Sequence, residues 1–172
     1  AENRDKVLFI DVRNYYTVVD RTLNEWTEWQ LRNLQAIVHL YRGEKGKYQS
    51  LIRDYIKVLD NASAPLTPER LEEVIKIGQR EFSTRFTAIL ESEKKQAKEA
   101  IATATRKKKK QVEAEWKETI EYWEDLVETA RQFEWLIEKF GEGEYKDVLG
   151  LCKIASIQDI EEKNYSLTPG AY

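Results

Sequence analysis

The sequence holds one histidine, His39, and one cysteine, Cys152. A nucleophile–base system built on them would need a further group to orient the base, and no carboxylate spacing marks one. His39 lies in the apolar stretch Ile37-Val38-His39-Leu40, where an imidazole reads as a structural side chain. Cys152, within Val148-Leu149-Gly150-Leu151-Cys152-Lys153-Ile154, reads as a small inert hydrophobe rather than a reactive thiol. One residue of each kind builds neither a zinc site nor a disulfide. Gly141-Glu142-Gly143 fails as a phosphate cradle. Such loops follow a strand and open a helix so that backbone N–H groups meet the anion, whereas these glycines follow a helix and sit beside acidic side chains. The residues therefore assign no catalytic, cofactor-binding or metal-ligating role within this chain.

Two other groups could recognise a partner. Arg106, Lys107, Lys108, Lys109 and Lys110 could meet phosphates through charge neutralisation and counterion release. Set on a helix, five consecutive cations surround the axis instead of forming one stripe, and no aromatic is interleaved to stack on bases. A solvated face is the stronger reading, with a DNA contact as the alternative. Of the five tryptophans, Trp116 and Trp123 are seven residues apart and share a helix face. Aromatics so spaced serve either an internal core or a protein–protein contact.

The elements that carry these residues follow from composition and periodicity. In 172 residues, 28 Lys+Arg against 31 Asp+Glu leave a net charge of -3, which argues against a globally basic nucleic-acid binder. Seven glycines and three prolines supply little turn chemistry for this length. No apolar run approaches the roughly 18 residues of a membrane span, and no signal-peptide pattern opens the chain. A soluble, reduced, cytoplasmic and mainly α protein is expected. The absence of Met and the opening at Ala1 add the expectation of a piece of a longer protein.

Lys6-Val7-Leu8-Phe9-Ile10-Asp11-Val12 is the one convincing strand, and no second run of its kind follows. A strand alone leaves its backbone groups unpaired. Its sheet is therefore expected in sequence before Ala1, with 1–20 the last strand and exit loop of a larger core. Thr22-Leu23-Asn24-Glu25 has capping-box spacing and predicts a helix start, ended by Gly43. A second helix, 47–59, completes a helical hairpin over 21–60. A linker, 61–67, precedes Thr67 and Pro68, which cap and begin a third helix. Gln79 to Phe140 contains no Gly and no Pro. A continuous rod over 68–140, about 110 Å long, is the favoured reading. A fold-back near Thr103-Ala104-Thr105 is open but not signalled. Leu71, Ile75 and Phe82 lie on the rod's first apolar stripe, and Trp116, Ile120, Trp123, Val127 and Phe140 on a second with coiled-coil spacing. Over 141–172, Ser156 is expected to cap a brief helix through Glu162, ahead of an extended tail.

The two ends of the chain carry a family likeness. Lys6-Val7-Leu8-Phe9-Ile10-Asp11-Val12-Arg13 and the stretch from Ile154 through Asn164-Tyr165-Ser166-Leu167-Thr168-Pro169-Gly170-Ala171-Tyr172 resemble the C-terminal part of the DNA methyltransferase (M) subunit of type I restriction–modification systems. The resemblance implies a catalytic core with S-adenosylmethionine elsewhere in the parent protein. Adenine methylation in that family uses an Asn/Asp-Pro-Pro-aromatic motif around a flipped base. No two prolines are adjacent here, so this chain is expected to be catalytically silent by itself. The resemblance further implies helices packed against the specificity (S) subunit beside a second M subunit, with DNA met through the complex and a restriction (R) subunit admitted. Leu71, Ile75, Phe82, Trp116, Ile120, Trp123, Val127, Phe140, Tyr165 and Leu167 are the interface candidates. A self-associating helical coiled-coil scaffold is the alternative without a family, and a weak DNA-binding arm through Arg106 to Lys110 is another.

Overall fold

The computed structural model describes residues 3–59, 69, 72–73, 75–76, 82–168 and 171. The chain is mainly helical, with five helices among the described elements. In order these are β1 (Lys6–Ile10), β2 (Thr17–Val18), β3 (Asn24–Glu25), α1 (Glu28–Tyr41), α2 (Lys45–Leu59), α3 (Phe82–Thr103), α4 (Lys109–Phe140), β4 (Cys152–Ser156) and α5 (Ile157–Glu162). The linker over 61–67, the Thr67–Pro68 start and Leu71 lie outside the described residues. Two compact units form, one from Ala1–Leu51 with Lys139–Tyr172 and the other from Ile52–Glu138.

In the first unit, β1 is not alone. It pairs antiparallel with β4, from Lys6 opposite Ser156 to Ile10 opposite Cys152. The ladder continues through Asp11 N–H to Leu151 O (2.7 Å) and Ile157 N–H to Asp5 O (3.1 Å). The expected orphan strand is thus corrected, and the argument for a missing sheet falls with it. Cys152-Lys153-Ile154-Ala155-Ser156 mixes small and charged residues, so it lacks the apolar, β-branched character that marks β1. Its Ala155 is fully buried, in a cluster with Phe9 and Ile160 against which Val7 packs.

The start of α1 is also corrected. Asp20 Oδ1 accepts from Thr22 N (2.7 Å) and Leu23 N (2.9 Å), an Asx turn that reverses the chain between β2 and β3. Thr22 is thereby used in a turn, and the cap falls to Thr27. Its hydroxyl accepts from Gln30 N, while Gln30 Oε1 accepts from Thr27 N (2.9 Å). The stop at Gly43 stands, with φ at +74°. Buried Tyr48 on α2 donates to Gly141 O at 2.7 Å. As expected, Ser156 caps α5, in a capping box with Asp159.

In the second unit, the long rod is corrected to two helices. Residues 104–108 turn between α3 and α4, with Lys108 N and Lys109 N both donating to Thr105 O at 2.9 Å. The helices run antiparallel. Ser83 Oγ meets Glu134 Oε2, the rings of Phe82 and Phe133 are 6.1 Å apart, Phe86 and Trp123 are 6.0 Å apart, and Lys94 Nζ reaches Glu124 at 3.0 Å. Tyr55, from the part of α2 in this unit, adds its ring 5.4 Å from Phe133. A straight rod would leave both apolar stripes wet. Burying an aromatic or aliphatic side chain gains about 1.5–3 kcal/mol, and several such gains outweigh the few helical hydrogen bonds a turn forfeits at about 1 kcal/mol each. Like charges at three- and four-residue spacing within Arg106–Lys110 weaken a helix there as well.

Gly143 has φ +103°, and a Cβ on it would sit 2.6 Å from Cδ1 of the buried Tyr48 ring. Gly143→Ala is expected to cost about 1–3 kcal/mol in urea denaturation, through overpacking and backbone strain. Gly46, inside α2 with open space around it, is the contrast. Gly46→Ala is expected to be neutral or to stabilise by up to about 1 kcal/mol.

Candidate functional site

Three places in the chain bring chemistry-bearing residues together. The first is an open cleft of about 510 Å³ in the first unit, lined by Phe9 of β1, by Asp11 and Arg13 just after it, and by the 147–153 turn and strand. The β1–β4 ladder sets these segments side by side. Gly150, at φ +75°, lets the turn close, with Val148 and Cys152 exchanging backbone hydrogen bonds at 2.9 and 3.0 Å. Leu149 stands fully exposed at its tip. Asp11 is held bidentately by Arg13, whose Nε lies 2.9 Å from Oδ1. That guanidinium lowers the Asp11 carboxyl to about 2. Burial pushes the Cys152 thiol up, so it stays protonated. Tyr145, beside it, is also pushed up, first by burial and then by Cys152 and Asp147. None of these groups is poised to take or give a proton near neutrality.

His39 does not line the cleft. Its Nδ1 lies 2.6 Å from Glu44 Oε2, and Glu44 also accepts from Lys47 Nζ at 3.1 Å. His39 first and Lys47 second hold the Glu44 carboxyl below its ordinary value. This network ties the end of α1 to the start of α2. Among the described residues, no group of three or more His, Cys, Asp or Glu could hold a metal ion.

The second place is the outer half of α4. Trp116, Ile120 and Trp123 share a face there and are each half-buried. Trp123 packs on Phe86 of α3, while beyond Leu90 the only buried side chain of α3 is that of Ala97, so the facing helix covers the stripe only in part. Of the other interface candidates, Ile75, Phe82, Val127 and Phe140 are buried. Tyr165 and Leu167 are 68% and 67% exposed. Asn164 and Tyr165 both take left-handed backbone, at φ 52° and 58°. The cleft had no sequence motif of its own. Its one signal is Asp11-x-Arg13 directly after a strand, a spacing at which an ion pair can form.

The third place is the α3–α4 turn. Arg106, Lys107 and Lys108 are in the turn itself, Lys109 and Lys110 open α4, and all five are exposed. The sequence expectation of cations spread around a helix is corrected to that extent: three of the five are not on a helix.

No family model, no curated protein and no solved structure matches the chain. Among the described residues, no helix is long and apolar enough to cross a membrane.

The Asp11–Arg13 pair gives a pH prediction. Asp11 has its carboxyl lowered from 3.8 to about 2, so the pair's contribution to stability is complete above 3.8 and is lost as pH falls toward 2. In Arg13→Gln, the Asp11 carboxyl titration followed by NMR is expected to return toward 3.8. A midpoint that stays near 2 would show that Arg13 is not the cause.

Proposed function

We propose that the chain is the C-terminal assembly region of an adenine-specific DNA methyltransferase, the M subunit of a type I restriction–modification system, and that it docks helices onto the specificity subunit. S-adenosylmethionine and the methylating residues belong to the rest of that protein. A second M subunit docks in the same way, and a restriction subunit can join the complex. The observation that carries the reading is the aromatic stripe Trp116-Ile120-Trp123 on α4, which α3 covers only in part. Large aromatics at a half-covered helix face are the side chains that anchor helix-to-helix recognition. The exposed Tyr165 and Leu167 add a second apolar contact in the stretch that carries the family likeness. The displaced titratable groups agree with a part that binds rather than catalyses, since all are moved away from neutrality.

The test uses residues outside the core, because Val127 is buried and its loss would disturb the fold. Trp116→Ala with Ile120→Ala is expected to cut co-purification with the S subunit at least about tenfold, while helicity by circular dichroism is kept. Tyr165→Ala with Leu167→Ala is expected to weaken it further. Undiminished assembly in both variants would remove the reading. Light scattering that showed a stable dimer of the chain, lost in the first variant, would assign the stripe to self-association instead.

A further inference from the structure

We infer that the α3–α4 turn is a phosphate-backbone contact for duplex DNA, made without reading sequence. Arg106–Lys110 follow one another in a turn and the first helical turn after it, all exposed. Among the described residues none of the five makes an ion pair. The nearest carboxylates in sequence, Glu99 and Glu113, are not bridged to them. The first turn of α4 contains no acidic residue, so Lys109 and Lys110 add to the partial positive charge that a helix N-terminus already carries. Cations in this position repel one another and the helix end alike, and an anion supplied from outside relieves that repulsion. On a continuous rod the five would be spread around the axis. The turn gathers three of them at one end of a helical hairpin.

The polyanion is a nucleic acid rather than a single phosphate, because five unpaired cations on consecutive residues suit an array of charges. No aromatic lies among Ala104–Lys110, so bases are not stacked upon, and phosphates are what such a tip can hold. The choice of duplex DNA rests on the methyltransferase reading above.

The experiment is DNA binding by the 172-residue chain to a short mixed-sequence duplex, measured across salt concentration. The R106Q/K107Q/K108Q/K109Q/K110Q variant is expected to lower the slope of log affinity against log salt by about 3 to 4.5, at roughly 0.9 per lost phosphate contact. Unchanged helicity is expected with it, since removing cations from a helix N-terminus does not weaken the helix. The control replaces five exposed lysines elsewhere, Lys45, Lys57, Lys117, Lys146 and Lys163, with Gln. It carries the same change in net charge and is expected to keep most of the wild-type slope. An equal loss in the control, or no DNA binding by the wild-type chain, would overturn the assignment. So would competition by polyglutamate as strong as that by DNA, which would give the tip to an acidic protein. The W116A/I120A variant is expected to keep the wild-type slope whatever becomes of its docking, so failure of the assembly reading and failure of this one are told apart.

Discussion

Backbone hydrogen-bond satisfaction along β1 is the constraint on which the first unit depends. An apolar strand can be buried only if its N–H and C=O groups find partners. Here they find them in β4, nearly the whole chain away in sequence. Closing so long a loop costs little more than closing a moderate one, because the entropy of closure grows only with the logarithm of length. Much of the unit then follows from that register. It sets Asp11 and Arg13 beside the 147–152 turn, which makes the cleft. It also ends β4 at Ser156, whose hydroxyl caps α5 and so fixes where the tail begins. A two-stranded sheet is marginal in water by itself. The cluster of Phe9, Ala155 and Ile160 supplies the apolar cover that it needs.

In the second unit the constraint is the burial of two apolar stripes. Phe82, Phe86 and Leu90 on α3, and Val127, Ala130, Phe133 and Ile137 on α4, are buried because the chain reverses between the helices. That reversal has two consequences that reach the surface. It turns a cationic run into a tip. It also sets Phe86 against Trp123 but leaves α3 a single buried side chain, Ala97, beyond Leu90, so Trp116 and Trp123 stay half-covered. Both surface features are by-products of which residues could be buried and which could not.

What was legible in the sequence was what local chemistry decides. The stop at Gly43, the second helix and the Ser156 cap depend on residues within a few positions of each other, and the structure has them. Three features depend on more. Thr22 and Thr27 both head a capping-box pattern, and the choice between them was made by Asp20, whose side chain took Thr22 into a turn. The reversal at 104–108 has neither Gly nor Pro, because tertiary burial rather than turn propensity drives it. β4 was hidden because pairing with a distant strand, not its own composition, makes it a strand. The same divide holds for the candidate site. Five cations and the shared face of two tryptophans are visible in the sequence, but the gathering of the cations at a tip waits on the hairpin, and the cleft waits on the ladder.

The titratable groups whose pKa is displaced are held there by structural partners or by burial. Asp11 is held by Arg13, Asp20 by the backbone and hydroxyl of Thr22, Asp159 by Ser156, and Glu44 by His39 and Lys47. Each is a carboxylate kept ionised by a structural partner. Tyr48, Tyr145 and Cys152 move the other way, chiefly by burial, and stay protonated. A general acid or base works best with a pKa near the operating pH, reached by setting burial against charge. Here burial acts on groups that titrate above neutrality and raises them, while hydrogen bonds and charge act on groups that titrate below it and lower them. Both effects widen the gap around pH 7 rather than closing it. Among these groups the chemistry serves capping, turn formation and packing.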